Sequence, residues 1–208
     1  MAKLIFKYGA MGSSKTANAL MTKFNFEEKG RNVILMKPEV DDRYAPNIVK
    51  SRVGIESIAK VIPTDPERGF FVKMLKDSVV DYLIIDECQF LNSETIEELS
   101  FCVDEFNIGV WCYGLKTDFM GNLFEGSKRL LELSDSIEEI KTSCFCGKKA
   151  VMNARIVDEK IVTDGEQISI GGDDKYVSLC RKHWVKGLFE QESVFKKKEL
   201  PDENFEEE

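Results

Sequence analysis

The chain lacks the two features that most simply mark a nucleic-acid binder or a membrane protein. Positive charge is not in excess: 29 Lys and Arg face 37 Asp and Glu, a net charge of −8. Sequence-independent nucleic-acid binding runs on Lys/Arg patches, for which such a diffuse polyanion is poorly suited. The N-terminus "MAKLIFKYGAMG" offers only the apolar run Leu4–Phe6 between lysines. That run is too short for a signal peptide or a membrane span, so a soluble cytoplasmic protein without a membrane partner is expected. A cytoplasmic compartment keeps thiols reduced, so the 6 cysteines do not form a disulfide framework. Histidine is nearly absent, with His183 alone, and no internal repeat is visible.

What is present is enough for one good core and a small appendage: 208 residues, 43% of them hydrophobic. Strand and helix signals alternate up to residue 140. Buried-type strands are expected in "KLIFKY" (3–8), "NVILMKP" (32–38), "VVDYLIIDE" (79–87) and "IGVWCYGL" (108–115), with a short edge strand in "VIPTD" (61–65). Helices are expected over 14–30, with the apolar stripe Ala17, Leu20, Met21 and Phe24, over 93–106 with Ser93 as N-cap, and over 123–135. Strands of this kind separated by helices predict an α/β fold, a mainly parallel sheet covered on both faces. From about 141 the pattern changes to short pieces, "AVMNARIV" (150–157) and "EQISI" (166–170), that suggest small β-hairpins. This divides the chain into an α/β domain (1–140), a β appendage (141–189) and a charged, Pro-interrupted tail (190–208) that is expected to be disordered.

One more absence falls in a motif. "GAMGSSKT" (Gly9, Ala10, Met11, Gly12, Ser13, Ser14, Lys15, Thr16) is almost the phosphate loop G-x-x-x-x-G-K-[ST], but Ser14 stands where the second glycine should be. Its context, strand then turn then helix, aims backbone N–H groups and a helix N-terminus at one point, as an anion site requires. Lys15 would reach the β/γ phosphates of ATP and the Thr16 hydroxyl would ligate Mg²⁺. Ser14 is tolerable if it occupies the first helical turn, where φ is negative. "YLIIDECQF" adds a carboxylate, Asp86, at the C-terminal edge of the sheet, a candidate to hold Mg²⁺. Strand alternation would turn the next residue, Glu87, to the opposite side, toward a substrate hydroxyl.

Cys88, Cys102 and Cys112 lie inside apolar runs and read as core. Cys144-x-Cys146 and Cys180-x₂-His183 are instead two close pairs set among Gly, Lys and Arg. Together they supply the Cys₃His set of a closed, structural zinc site.

"GAMGSSKT", "KPEVDDRY" (37–44), "DECQF" (86–90), "GLKTDFMGNLFEGS" (114–127), "CFCG" and "IGGDDKYVSLCRKH" (170–183), in this order over about 3–185, resemble the type II, zinc-containing thymidine kinase family. The resemblance implies a P-loop NTPase-type α/β domain and a small zinc-containing β domain with a lasso loop. The implied activity is transfer of the ATP γ-phosphate to the 5′-hydroxyl of thymidine, with Mg²⁺. On matching positions, Gly9 to Thr16, Asp41, Asp42, Arg43 and Asp86 to Gln89, Cys88 included, would border ATP, and Glu87 would be the general base. The thymine base would meet Phe119, with Met11 and Leu115 near its 5-methyl. A lasso of Gln167, Ile168, Ser169, Ile170 and Gly171, with Tyr176 at its foot, would close over the nucleoside. The family also implies a homotetramer and feedback inhibition by thymidine triphosphate. The zinc pair departs from the common C-x₂-C spacing, Ser143 standing where a further cysteine is frequent.

Two other readings compete. A zinc-ribbon P-loop ATPase acting on nucleic acid would need a basic, aromatic-rich ribbon, but residues 141–187 are only weakly basic. A regulator that has lost catalysis is suggested by Ser14 and disfavoured by the retention of Lys15, Thr16, Asp86 and Glu87.

Overall fold

The computed structural model describes residues 1–187, apart from 77, 159, 166 and 168–174. In chain order the first half comprises β1 (Leu4–Tyr8), α1 (Lys15–Glu27), β2 (Val33–Pro38), β3 (Ile48–Lys50), β4 (Glu56–Ile58), β5 (Lys60–Ile62), α2 (Phe70–Leu75) and β6 (Tyr82–Ile85). After a 3₁₀ turn at Cys88–Phe90 come α3 (Ser93–Phe106), β7 (Gly109–Gly114), α4 (Glu125–Leu133) and β8 (Ser136–Glu139). The remainder is β9 (Thr142–Ser143), β10 (Lys149–Ala150), β11 (Met152–Val157), β12 (Lys160–Val162), β13 (Lys175–Leu179) and α5 (Arg181–Val185).

The main sheet has six strands in the order β5-β2-β6-β7-β1-β8, and every pairing in it is parallel. Alternate residues of the central strands feed two separate cores, which is why these strands read as continuous apolar runs. Leu4, Phe6, Leu83, Ile85, Val110 and Cys112 pack with Ile96, Leu99 and Cys102 of α3, Leu130 of α4 and Phe71 and Leu75 of α2. On the other face Leu35, Ile84 and Tyr113 pack with Ala19 and Leu20 of α1 and with Val49 of the β3–β4 hairpin. The edge strand expected near 61–65 is β5, and Cys88, Cys102 and Cys112 are all fully buried.

Three local features depart from what was expected. The buried face of α1 is Ala19 and Leu20, whereas Met21 and Phe24 are 55% and 60% exposed. The inward aromatic is Phe26, stacked on Tyr82 with centroids 4.0 Å apart, so contact with β6 and β7 rather than the densest apolar stripe sets the helix rotation. Second, α3 is capped by Asn92, whose side chain accepts the Thr95 N–H at 2.8 Å. Ser93 already has helical geometry, and its N–H goes to Glu125. Third, α2 and the β3–β4 hairpin were not legible, and α2 carries no cap of its own. Its N-terminal amides are satisfied from α3: Glu98 accepts from Gly69 N at 3.1 Å, Phe71 N at 2.6 Å and Val72 N at 3.0 Å. A carboxylate there also meets the positive end of the helix dipole. Glu98→Ala is expected to cost about 1–3 kcal/mol, the range for buried donors losing a charged acceptor, measurable by urea unfolding. A loss below about 0.5 kcal/mol, as for an ordinary surface change, would contradict this role.

Beyond β8 the chain builds an antiparallel sheet β12-β11-β13 and the small β9–β10 pair. The core beneath is minimal: Cys144, Ala150, Ala154, Leu179 and Cys180, flanked by Ile161, Val177 and Trp184. The extended piece expected over 150–157 divides into the end of β10 and β11. Of the strand expected over 166–170, all but Gln167 lies outside the described residues.

Candidate active site

The phosphate-loop segment connects β1 to α1. At its start Gly9 is required by packing, since a Cβ there would lie 2.4 Å from both the Ile140 carbonyl and Ser13 Oγ. At its end Ser14 is not in the first helical turn. It precedes the helix in the left-handed region, at φ 60 and ψ 29, with no side-chain capping bond. The expectation of a negative φ is therefore wrong. The chain needs a left-handed step to enter α1, and Ser14 makes it at the steric cost that a glycine would avoid. That step costs an L-residue about 1–2 kcal/mol, of which glycine's greater freedom when unfolded takes back about 0.5–1. Ser14→Gly should therefore stabilise the fold by about 0.5–1 kcal/mol while leaving phosphorylation within about threefold. Denaturant midpoints test this, and a destabilised variant would contradict it.

Not every amide of the loop faces an anion. Gly9 N donates to Gly114 O, Ser13 N to Ala10 O and Met11 N to Asn153 Oδ1. Lys15 is buried, with Nζ donating to Ala10 O at 3.0 Å. Burial lowers its pKa against the opposing pull of Glu87 and Asp86. The Thr16 side chain lies beside Asp86 and favours its charged form.

The expected alternation of Asp86 and Glu87 does not apply, because β6 ends at Ile85. Glu87 has φ 52 and ψ 36 as the chain turns into Cys88–Phe90, a left-handed conformation of the kind that clusters at functional sites. Both carboxylates consequently act on Lys15. Asp86 lies beneath the loop, 1% exposed. Burial, with Glu87 next, pushes its pKa up to about 7 against the effects of Thr16, Arg43 and Lys15. Among the described residues its Oδ1 is buried without a hydrogen-bond partner, so an oxygen-seeking cation beside Thr16 fits this donor set.

Glu87 is held at both oxygens. Oε1 accepts from Arg43 Nη2 at 2.5 Å and Oε2 from Gln89 Nε2 at 2.7 Å. Burial alone would raise its pKa, but Arg43 and then Lys15 outweigh it and the carboxyl is held below its usual range. Arg43 in turn donates through Nε to Asp41 Oδ1 at 2.5 Å. Burial opposes its charge, yet Glu87 and Asp41 overcome this and keep it firmly protonated. Gln89 Oε1 accepts the Leu115 N–H at 3.0 Å, so its amide orientation is fixed.

These groups open onto a cleft of about 580 Å³. Met11, Gly12, Ser14, Lys15, Thr16, Asp41, Arg43, Glu87 and Gln89 line it, and so do Leu115, Phe119, Gln167 and Tyr176 from the proposed nucleoside side. Gln167 Nε2 donates to Asp118 Oδ2 at 2.8 Å. Ile168, Ser169, Ile170 and Gly171 lie outside the described residues. Cys88 does not border the cleft: it is fully buried in the main core, because the 3₁₀ turn points it inward. Asp42 is exposed and absent from the lining, the turn that brings Arg43 over Glu87 having carried it outward. Sequence reasoning missed Phe90, Phe124 and Asn153, and also Lys50 and Arg52 of the β3–β4 hairpin. The signal for the hairpin was two short β-branched runs around Gly54, which has φ 90.

Between the β9–β10 turn and the start of α5, the ligand atoms of Cys144, Cys146, Cys180 and His183 all lie within 4.8 Å of one another. Cys144 Sγ is 3.4 Å from His183 Nδ1, and Cys146 Sγ is 4.0 Å from Cys180 Sγ. Bond lengths of about 2.3 Å to sulfur and about 2.0 Å to nitrogen place tetrahedral ligands at comparable spacings. The C-x-C pair therefore converges without a third cysteine at position 143.

A parallel sheet with a phosphate loop after its first strand, Asp86 beneath that loop and a Cys₃His-clasped β appendage define a nucleotide-binding α/β protein of the P-loop class. The comparisons narrow the class. A family model described as thymidine kinase matches residues 2–184, and the chain belongs to the thymidine kinase family. The thymidine kinase of Shewanella oneidensis is 42% identical over 189 residues, covering 88% of this chain and 97% of the relative. That of Enterobacteria phage T4 is 45% identical over 186 residues, covering 88% and 96%. The thymidine kinase of Streptococcus pyogenes serotype M3 is 45% identical over 185 residues, covering 88% and 97%. Among the described residues no helix is long and apolar enough to cross a membrane.

Proposed function

We propose that the chain transfers the γ-phosphate of ATP to the 5′-hydroxyl of thymidine, giving thymidine monophosphate. The observation that carries this reading is the meeting of Lys15, Arg43 and Glu87 with Phe119, Gln167 and Tyr176 around one cleft. It is supported by membership of a family whose members are named for that reaction. Phosphoryl transfer asks for positioning and charge stabilisation rather than covalent chemistry. Lys15 and Arg43 supply positive charge for the transferred group, and Glu87 accepts the proton of the attacking hydroxyl. Arg43 and Gln89 fix the Glu87 carboxylate at the cleft, each through one oxygen, which leaves a further lone pair on each oxygen to accept that proton. Thr16 and Asp86 would hold Mg²⁺, which would neutralise phosphate charge.

Phe119, Met11 and Leu115 form the wall assigned to the thymine ring, and the segment from Gln167 to Gly171, with Tyr176 at its foot, is the proposed lid. The Cys₃His cluster is assigned to one structural zinc. A homotetramer and feedback by thymidine triphosphate belong to the same reading. Nothing favours the nucleic-acid ATPase: the relatives are named for the kinase. The deciding experiment is ADP release from ATP and Mg²⁺ with thymidine, deoxycytidine or single-stranded DNA. Stimulation by thymidine alone is expected, and stimulation by DNA alone would overturn the reading.

A further inference from the structure

Met11 sits in the middle of the phosphate loop, yet both polar groups of its backbone are taken by the second sheet. Its N–H donates to Asn153 Oδ1 at 2.8 Å, and its carbonyl accepts from Ser178 Oγ. Asn153 on β11 and Ser178 on β13 are direct cross-strand partners, so one rung of the second sheet grips one residue of the loop through both of its flanking peptides. Thr142 Oγ1 adds a longer bond, 3.4 Å, to Gly12 O.

The other end of Asn153 points elsewhere. Its Nδ2 donates to Thr117 O at 2.9 Å, in the stretch that leads to Phe119 and the nucleoside wall. The side chain is 3% exposed, with acceptor and donor each used. Reversing the amide would set Nδ2 against the Met11 N–H and Oδ1 against the Thr117 carbonyl, so the bridge has a single orientation. The loop assigned to the phosphate donor and the wall assigned to the acceptor thus do not touch only through the main sheet. They are joined by one buried amide from the appendage.

We propose that Asn153 is a positioning residue that sets the phosphate loop against the nucleoside wall, so that occupation of either subsite favours the other. In-line transfer depends on donor and acceptor being held in register, and a displacement of about 1 Å can cost about a hundredfold in rate. A bridge that orders both sides at once gives each ligand part of the ordering the other needs. The resulting coupling is reciprocal. This inference rests on the assignment of ATP phosphates to Gly9–Thr16 and of thymidine to the Phe119 wall.

The test measures thymidine affinity by calorimetry with and without a saturating non-hydrolysable ATP analogue plus Mg²⁺, using the full chain, Asn153→Ala and Ser178→Ala. In the wild type the analogue should tighten thymidine binding by about fivefold or more, the lower end of typical site coupling. Asn153→Ala should bring that ratio to within about twofold of unity, and turnover with both substrates saturating should fall by roughly 10–100-fold. A merely structural role would weaken both affinities and leave their ratio alone. A ratio near unity in the wild type, or a wild-type ratio in Asn153→Ala, overturns the proposal. If Asn153→Ala does not fold, Ser178→Ala decides, because loosening the same residue should lower the ratio and an unchanged ratio overturns the proposal. Each ligand's binding alone to the wild type reports separately on the two subsites. Failure there removes the underlying reading, whereas intact single binding with an unchanged ratio in the variants removes this inference only.

Discussion

Replacing Glu87 by glutamine is expected to lower thymidine phosphorylation by roughly 10²–10⁴-fold, the usual contribution of a positioned general base. The variant keeps the size of the side chain and one acceptor oxygen for Arg43, but loses the charge and the proton-accepting oxygen. It also creates a local conflict. Gln89 presents Nε2 to Glu87 Oε2 at 2.7 Å and cannot turn over without losing its bond to the Leu115 N–H. A glutamine at 87 must therefore either face donor with donor or aim its own oxygen at Gln89 and its amino group at Arg43. Binding of ATP should change little, because Lys15, Thr16 and Asp86 are untouched. The measurement is steady-state turnover at saturating ATP and thymidine, with nucleotide affinity by calorimetry in parallel. Turnover within tenfold of the original would sink the assignment of Glu87 as base. A parallel loss of nucleotide affinity would instead locate its contribution in holding Arg43.

How much of this site could be read without coordinates depended on how local the determinant was. Lys15, Thr16, Asp86 and Glu87 were legible because strand, turn and helix follow one another within a few residues and the motif carries its own geometry. The same locality failed at Ser14. A serine says nothing by itself about the sign of φ, and the left-handed step at φ 60 follows from the entry angle into α1 that the rest of the loop imposes. At Glu87 the inference from strand alternation assumed two more extended residues than β6 contains. The hairpin that brings Lys50 and Arg52 to the cleft was missed because its strands, Ile48–Lys50 and Glu56–Ile58, are too short to show a period, leaving the turn around Gly54 as its one signal. The rotation of α1 was misread because exposed Met21 and Phe24 imitate a buried stripe. Asn153 could not have been found at all, since its partners Met11 and Thr117 are remote in the chain and nothing about an asparagine in a strand announces a bridge. The Cys₃His cluster was legible for the opposite reason: two close pairs of possible ligands with a single histidine leave few ways to pair.

Removing the metal should undo the appendage while the main sheet stays folded. Among the described residues its buried core cluster is five residues, Cys144, Ala150, Ala154, Leu179 and Cys180, and two of those are proposed ligands. Apolar burial on that scale cannot order a segment of this length against its chain entropy. A structural zinc contributes an apparent binding free energy of about 10–16 kcal/mol in comparable small domains, enough to supply the difference. His183 is also stacked on Phe145, with centroids 4.5 Å apart, so the metal would fix an aromatic contact as well. One zinc per chain is expected by elemental analysis, and Cys180→Ser should release it. Amide protection across 141–187 should then collapse, while α1, α3 and the parallel strands keep theirs, since their two cores lie wholly outside the appendage. Thymidine binding should go with the metal, because Gln167 and Tyr176 reach the cleft from this segment. Carefully purified protein without zinc, or full thymidine binding after its removal, would refute the structural role. Collapse of the whole chain would show that the loop at Met11 depends on Asn153 and Ser178 for its own fold and not only for its position.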